Sequence, residues 1–267
     1  MTTSVKFSLN HMLCPNVTAE TLIDYAVQLG LDAVELRNDI DSNSITSFEQ
    51  AKAIGEKAKT AGVRILTINA LYPFNQWDDE LKAKTEALAE LAEACGAEAL
   101  VLCPRNDGTP RTKEQVYEAL TQIKPILDKH HLTGLIEPLG FPFSSLRTKA
   151  EAVEAIQTLG FQDTFKIVHD TFHHKGADEK TYFPKQTGLV HISGVEDREI
   201  TFEGMLDEHR LLIGENDRLD NVGQIKDLIA AGYQGYFSLE PFSEPVWTLP
   251  DHVQAAKETF NYLLDRL

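Results

Sequence analysis

Four side chains that can bind a metal ion lie at or near the ends of short apolar runs in the second half of the sequence. They are Glu137, Asp170, His191 and Glu240. Carboxylate oxygens combined with one imidazole nitrogen form a mixed, negatively charged ligand set that suits Mn²⁺, Mg²⁺, Co²⁺ or Zn²⁺. These residue types predict one divalent metal ion (Mn, Zn, Co or Mg) as cofactor, provided that the fold brings the four runs together.

The three carboxylates of this set have no adjacent positive charge, because no lysine or arginine neighbours Glu137, Asp170 or Glu240 in the sequence. Packed together, they would repel one another and their pKa values would rise. A divalent cation would remove that repulsion. A single carboxylate at a strand end is usually solvated or salt-bridged, and a histidine such as His191 is usually a core residue. The prediction therefore depends on all four converging.

A repeated sequence pattern indicates how the fold would position these residues. A helix-like segment is followed by glycine and then by a short apolar run, with the glycines separated by 32, 34, 64 and 72 residues. Glycine at this point ends a helix in the left-handed conformation and turns the chain into the next strand. The spacings correspond to one or two βα units. The glycines are Gly30, Gly62, Gly96, Gly160 and Gly232.

The apolar runs are nearly continuous rather than alternating, as expected of parallel strands covered by helices. Eight such units would build a closed (β/α)8 TIM barrel, which needs roughly 250 residues. The open doubly wound sheet is less favoured, because no G-x-G-x-x-G follows the first strand. We expect one barrel domain over residues 1–267. Its predicted strands are Val5–Asn10, Ala33–Arg37, Ile65–Ala70, Ala99–Pro104, Thr133–Pro138, Phe165–Asp170, Leu189–Gly194 and Gly235–Pro241.

Charge and composition exclude several classes of partner. The formal net charge is -16, which argues against a nucleic-acid-binding surface. No window approaches the roughly 20 apolar residues of a membrane span, and MTTSVKFSLNHML at the start does not resemble a signal peptide. The three cysteines form no C-x-x-C pair and are expected to be buried free thiols in a reducing compartment. The sequence thus predicts a cytoplasmic protein that binds neither membranes nor nucleic acids.

At this level of detail the sequence resembles the xylose isomerase-like TIM barrels, the sugar isomerase and epimerase superfamily that also includes relatives of endonuclease IV. Within it, the loops are most similar to those of the inosose isomerases (2-keto-myo-inositol isomerases of inositol catabolism), and then to the ketose 3-epimerases. The resemblance covers essentially the whole chain. The segments that carry it are VELR from Val34, INALYPFNQWD from Ile68, IEPLGFP from Ile136, HDTFHH from His169, HISG from His191, DEHR from Asp207 and SLEPF from Ser238.

The resemblance implies metal ligation by the four residues named above, and contact of His173 and Arg210 with substrate oxygens. A metal-bound ketone would lose an α-proton to give a metal-stabilised cis-enediolate. We expect Glu137 and Glu240, from strands five and eight, to act as its acid and base. By strand alternation His169 should point away from Asp170, toward the helices.

The first three strands are expected to supply the substrate pocket rather than the metal ligands. Asn10, Arg37 and Asn69 carry amide and guanidinium groups that suit a polyhydroxylated ring. The aromatic residues Tyr72, Phe74, Trp77 and Trp247 either cover the sugar or pack as a hydrophobic plug or dimer contact. The predicted substrate is a small sugar or cyclitol.

Alternatives remain open from sequence. A dehydratase acting on an inosose would use the same first proton abstraction. A DNA-repair endonuclease would need further histidine ligands and a basic face, and a non-catalytic barrel would not require the carboxylate cluster. Many relatives have a glycine-rich G-x-G turn after the substrate arginine, whereas this chain has IGEND at 213–217. Relatives are often dimers or tetramers, so a homo-oligomer also remains open.

Overall fold

The computed structural model describes residues 5–267; residues 1–4, the start of the segment tested above for a signal peptide, lie outside the described residues. Eight parallel strands pair in chain order and close into a barrel between the first and the last. The predicted (β/α)8 TIM barrel is therefore confirmed. The strands are β1 (Lys6–Asn10), β2 (Ala33–Arg37), β3 (Arg64–Leu71), β4 (Ala99–Leu102), β5 (Thr133–Ile136), β6 (Phe165–Asp170), β7 (Thr187–Ile192) and β8 (Tyr236–Leu239).

Helices follow every strand and cover the outside of the barrel. All five repeat glycines have positive φ, as predicted for residues that end helices. No helix within residues 5–267 is both long and apolar enough to span a membrane. The helices are α1 (Ala19–Gln28), α2 (Phe48–Ala61), α3 (Asp79–Cys95), α4 (Lys113–Lys129), α5 (Lys149–Leu159), α6 (Thr171–Gly176), α7 (Asn221–Ala230), α8 (Glu244–Trp247) and α9 (His252–Leu264).

Four predicted strands (the fourth, fifth, seventh and eighth) extend two residues too far at their carboxyl ends, and in the fifth and eighth a proline follows the functional residue. Strands β5 and β8 end at Ile136 and Leu239, one residue before Glu137 and Glu240. The amide groups of both glutamates still donate to the neighbouring strands, at 3.0 and 2.9 Å. The next residue in each case is proline, which has no amide hydrogen and cannot continue the ladder. Both glutamate side chains are thus held at the mouth of the barrel.

The barrel interior changes from apolar to polar along the strand direction. Residues such as Leu66, Leu135 and Leu189 form a buried apolar cluster within the barrel. Tyr236 belongs to this cluster, Ser238 lies two residues further along β8, and Glu240 lies at the mouth. A larger apolar core lies between the strands and the surrounding helices. The packed lower layer leaves the carboxyl end as the place for chemistry, as in other barrels of this type.

Candidate metal centre

The four predicted ligands meet at the carboxyl end of the barrel. Glu137, Asp170, His191 and Glu240 are all buried, and each offers one ligand atom within 4.8 Å of the other three. Nδ1 of His191 lies 2.9 Å from Oε1 of Glu137 and 3.1 Å from Oε2 of Glu240. Oδ2 of Asp170 is 3.9 Å from the same nitrogen. One nitrogen and three oxygens therefore face a common point.

Asp170 is positioned by its place between β6 and α6. Its Oδ1 accepts hydrogen bonds from the amides of Phe172 and His173, at 2.7 and 3.0 Å, and so caps the amino end of α6. These bonds fix the carboxylate plane. Its second oxygen, Oδ2, is directed toward the other three ligands.

Two arginines that are remote in sequence approach the carboxylates. Nη2 of Arg210 lies 2.7 Å from Asp170 Oδ2 and 2.8 Å from Glu240 Oε2. Nη1 of Arg37 lies 2.8 Å from Glu240 Oε1. No lysine or arginine neighbours these carboxylates in the sequence, but the fold brings two guanidinium groups to them from across the barrel.

The arginines do not balance the charge of the site. Four buried carboxylates (the three ligand carboxylates and Glu35) face two buried guanidinium groups, and Arg37 is shared with Asp39. Burial lowers the pKa of His191, but the carboxylates of Glu240, Glu35 and Glu137 outweigh it and raise that pKa well above its ordinary value. Burial likewise opposes ionisation of Glu240, yet His191 and Arg210 hold its pKa below the usual range. A metal-bound histidine must be neutral, and with His191 neutral the four carboxylates and two guanidinium groups leave a net charge of about -2, which suits a divalent cation.

Glu35, in β2, also belongs to the site, although it was not among the predicted site residues. It is fully buried, and its Oε2 lies 3.2 Å from Nε2 of His191 and 2.7 Å from Oγ1 of Thr67. Its Oε1 accepts a hydrogen bond from Asn10 at 3.2 Å. One indication of this role was available in the sequence: Glu35 is an acidic residue inside a mostly apolar strand, two positions before Arg37.

The three predicted pocket residues of the first strands lie at the centre. Nδ2 of Asn10 and Nδ2 of Asn69 are 3.0 and 3.2 Å from Oε1 of Glu240, the same atom that Arg37 contacts. In the described structure they thus bind the carboxylate of Glu240, a predicted metal ligand.

A cavity of about 190 Å³ is lined by two of the four predicted ligands, Glu137 and Glu240. His173, Arg37 and Arg210 line it. Cys103 also lines it and is only partly buried, in contrast to the buried thiol that was expected. Tyr72 borders the cavity, whereas Phe74 is fully buried in the core and Trp77 packs against the core. Tyr72 therefore lies where it would cover a substrate, whereas Phe74 and Trp77 take part in hydrophobic packing.

The remaining histidines of the β6–α6 segment lie on the side away from the metal ligands. Nε2 of His169 is 2.9 Å from Oε1 of Gln224 in α7, and its ring stacks on Tyr182, which agrees with the predicted orientation toward the helices. Nδ1 of His174 accepts a hydrogen bond from Nζ of Lys149 at 2.7 Å. Burial, assisted by Lys149, lowers the pKa of His174 to about 3, so this imidazole is neutral near pH 7.

Comparison with protein families gives a match to the model described as xylose isomerase-like TIM barrel, over residues 23–266. The sequence has no significant match among curated proteins.

Solved structures give closer comparisons. A xylose isomerase domain-containing protein from Salmonella typhimurium LT2 shares 35% identity, with a TM-score of 0.90 and coverage of 99% of this chain and 98% of that one. The zinc-containing structure of the IOLI protein has 20% identity, a TM-score of 0.85, and coverage of 98% and 99%. A D-psicose 3-epimerase with D-tagatose, from Clostridium cellulolyticum H10, has 15% identity, a TM-score of 0.73 and the same coverage. The last two likenesses establish the shared fold only.

Proposed function

The chain belongs to the xylose isomerase-like TIM barrel family, and on that premise we propose that it is a divalent-metal-dependent isomerase or epimerase of a sugar or cyclitol ketone. The convergence of four buried ligand atoms within 4.8 Å carries the proposal. The names of two structural neighbours, an epimerase with a bound ketose and a zinc-containing protein, support the substrate class and the metal.

The residues present fit a divalent metal ion. Nδ1 of His191 and one oxygen each of Glu137, Asp170 and Glu240 would hold it, and the excess negative charge of the site favours its binding. When bound, such an ion polarises a substrate carbonyl and lowers the barrier to removal of the neighbouring proton. Mn, Zn, Co and Mg all remain compatible with this nitrogen and oxygen set.

The protein's own groups would bind and orient the substrate. His173 and Arg210 line the cavity and would donate hydrogen bonds to substrate oxygens. Arg37 and Asn69 also line it and would contact further hydroxyl groups. Asn10 was predicted to contact the substrate as well, but it is fully buried and would instead orient Glu240. Glu137 and Glu240, which follow different strands, are the two candidates for proton transfer.

The size of the cavity favours a single small ring. About 190 Å³ is below the range of about 300–1,000 Å³ typical of drug-sized ligands. A monosaccharide or cyclitol is compatible with that volume, whereas an oligosaccharide would have to extend outside it. We further propose that residues 1–267 act as one catalytic domain, which the family match over residues 23–266 supports. Free cysteines favour a cytoplasmic location.

Metal analysis and solvent-exchange NMR together test this function. Purified protein should bind about one equivalent of divalent metal, and Asp170→Asn should bind much less. The matched control Asp163→Asn, at an exposed turn, should bind normally. The metal-loaded enzyme should incorporate deuterium from D₂O next to the carbonyl of at least one member of a panel of inososes and ketohexoses. Loss of water from an inosose would identify the dehydratase instead. Absence of any metal affinity would refute the proposal.

A further inference from the structure

The two candidate proton-transfer glutamates differ in what their second oxygens contact. In each residue one oxygen faces the metal ligands: Oε1 of Glu137 and Oε2 of Glu240 lie 2.9 and 3.1 Å from Nδ1 of His191. The other oxygen is the atom that would accept a proton from a substrate carbon. Its surroundings therefore decide whether the residue can perform that step.

Oε1 of Glu240 is already occupied by three nitrogen donors. Arg37, Asn10 and Asn69 lie 2.8, 3.0 and 3.2 Å from it. A carboxylate oxygen has two lone pairs, so three donors saturate it. A substrate hydrogen would have to displace at least one of these charge-assisted bonds, which are the stronger class of hydrogen bond.

Two of these donors are themselves fixed by other contacts. The guanidinium of Arg37 forms two bonds of 2.7 Å with the carboxylate of Asp39 and packs over the ring of Phe242. Oδ1 of Asn10 accepts a hydrogen bond from the amide of Met12 at 2.9 Å, which sets the orientation of its amide group. Arg37 and Asn10 therefore cannot turn away from Glu240 without losing other bonds.

Oε2 of Glu137 has much weaker hydrogen-bond donors around it than Oε1 of Glu240 has. Among residues 5–267, its one hydrogen-bond contact is the thiol of Cys103, at 3.5 Å. A thiol is a weak donor. Both residues line the cavity, so this oxygen borders the space in which a substrate would lie.

From this difference we infer that Glu137 alone carries the proton, through Oε2, while Glu240 acts as an anchored metal-site carboxylate. The inference rests on the proposed function and narrows its reaction class. A single carboxylate reaches only one face of the substrate. The reaction would therefore move the carbonyl to the neighbouring carbon, and it would not invert the carbon beside the carbonyl, because inversion needs a second group on the opposite face.

The step balances without an external reactant. The C–H bond beside the ketone breaks, its proton goes to Oε2 of Glu137, and its electron pair forms the C=C bond of an enediolate. The carbonyl electron pair moves to its oxygen, which then takes the proton of the neighbouring hydroxyl. Glu137 returns its proton to the former carbonyl carbon, where the C=C electron pair forms the new C–H bond, and the oxyanion on the neighbouring carbon becomes the new carbonyl. One carbon is oxidised and its neighbour reduced, giving an isomeric ketone with no net redox change.

Products and exchange in D₂O test the inference. Metal-loaded wild-type enzyme would be incubated with the panel of inososes and ketohexoses and followed by NMR. We expect a carbonyl-shifted ketone without the epimer at the adjacent carbon. Glu137→Gln should lower α-hydrogen exchange by at least about 100-fold. At metal content matched to wild type, Glu240→Gln should lower exchange clearly less than Glu137→Gln does.

The outcomes separate this inference from the proposed function. A wild-type product that is mainly the epimer would overturn the inference and leave the proposed function standing, and this readout needs no variant to fold. Equal loss of exchange in both glutamine variants, at matched metal content and with intact circular dichroism, would also overturn it. No exchange by metal-loaded wild type with any panel member would overturn both.

Discussion

Nε2 of His191 lies 3.2 Å from Oε2 of Glu35, on the side of the imidazole away from the Nδ1 atom that faces Glu137 and Glu240. Glu35 is fully buried and is also held by Thr67 and Asn10. A carboxylate in this place can accept a hydrogen bond from Nε2–H, which would leave the lone pair of Nδ1 for a metal ion.

Removing the charge of Glu35 should therefore weaken metal binding without removing a ligand. We expect Glu35→Gln to lower metal affinity about 10–100-fold, the usual effect of losing such a partner. Competition with a chromophoric chelator would measure it. Glu98→Gln provides the control, because Glu98 pairs with Arg64 on the surface. Unchanged affinity in Glu35→Gln would contradict the assigned role.

Arg210 should stabilise the fold more in the absence of metal than in its presence. It is buried against Asp170 and Glu240, and removing one partner of a buried ion pair costs about 3–5 kcal/mol. We expect a loss of that size for Arg210→Met in EDTA. With saturating metal the loss should shrink, because the cation would offset the same carboxylates.

Urea unfolding of Arg210→Met with and without metal would measure the difference. Arg64→Met is the matched control, since its ion pair with Glu98 is exposed and surface pairs contribute about 0–1 kcal/mol. Arg210→Lys would keep the charge but lose the forked geometry that reaches both carboxylates and Ser193. An equal loss under both metal conditions would mean that Arg210 acts only through packing.

Local sequence patterns are enough to predict the barrel and the polar residues at the carboxyl ends of its strands. The glycine spacing and the continuous apolar runs predict eight βα units, and residues such as Asp170 are found because they end an apolar run. The exact ends of β5 and β8 depend on the register with the adjacent strand, which the sequence pattern does not give.

Contacts between side chains across the barrel mouth could not be predicted from glycine spacing and apolar runs. Glu240 meets Asn10 and Arg37 from residues 230 and 203 positions away, a distance closed only when β8 pairs with β1. Strand alternation states that Glu35 faces inward, but not that it reaches the far nitrogen of His191. Such contacts depend on side-chain lengths across the barrel, which periodicity does not contain.

His11 should make the fold sensitive to acid. It is fully buried, its Nε2 donates to the carbonyl of Val17 at 2.9 Å, and burial lowers its pKa to about 4. The unfolded chain takes up this proton below about pH 6.5, whereas the native protein does so only near pH 4. As the pH is lowered from about 6.5 to about 4, this group alone should therefore lower the free energy of unfolding by about 1.4 kcal/mol per pH unit.

His11→Gln should remove this share of the pH dependence while keeping a donor for Val17. Urea unfolding between pH 4.5 and 7.5 would compare it with wild type and with His131→Gln, which alters an exposed residue. The slope should decrease only in the His11 variant. Parallel slopes in all three proteins would show that His11 is not protonated on unfolding in this range.

The loop after β5 should control the position of His173 through a close backbone contact. A Cβ atom on Gly140 would overlap the backbone of His173, whereas one on Gly176 would come no closer than 3.4 Å to its neighbours. Arg147 holds the two segments together through the carbonyl groups of Gly140 and Gly176, each at 3.0 Å. Neither glycine has a positive φ, so the difference between them is steric.

Gly140→Ala should therefore displace α6, which carries His173, and cost about 1–3 kcal/mol as overpacking does. Because Asp170 caps the same helix, metal affinity should fall as well. Gly176→Ala is the matched control and should change neither quantity by a comparable amount. Urea unfolding and chelator competition on both variants would measure these effects. If the two alanine variants have the same stability and metal affinity, the loop adjusts without displacing α6. His173 would then be positioned by the contact of its amide with Asp170.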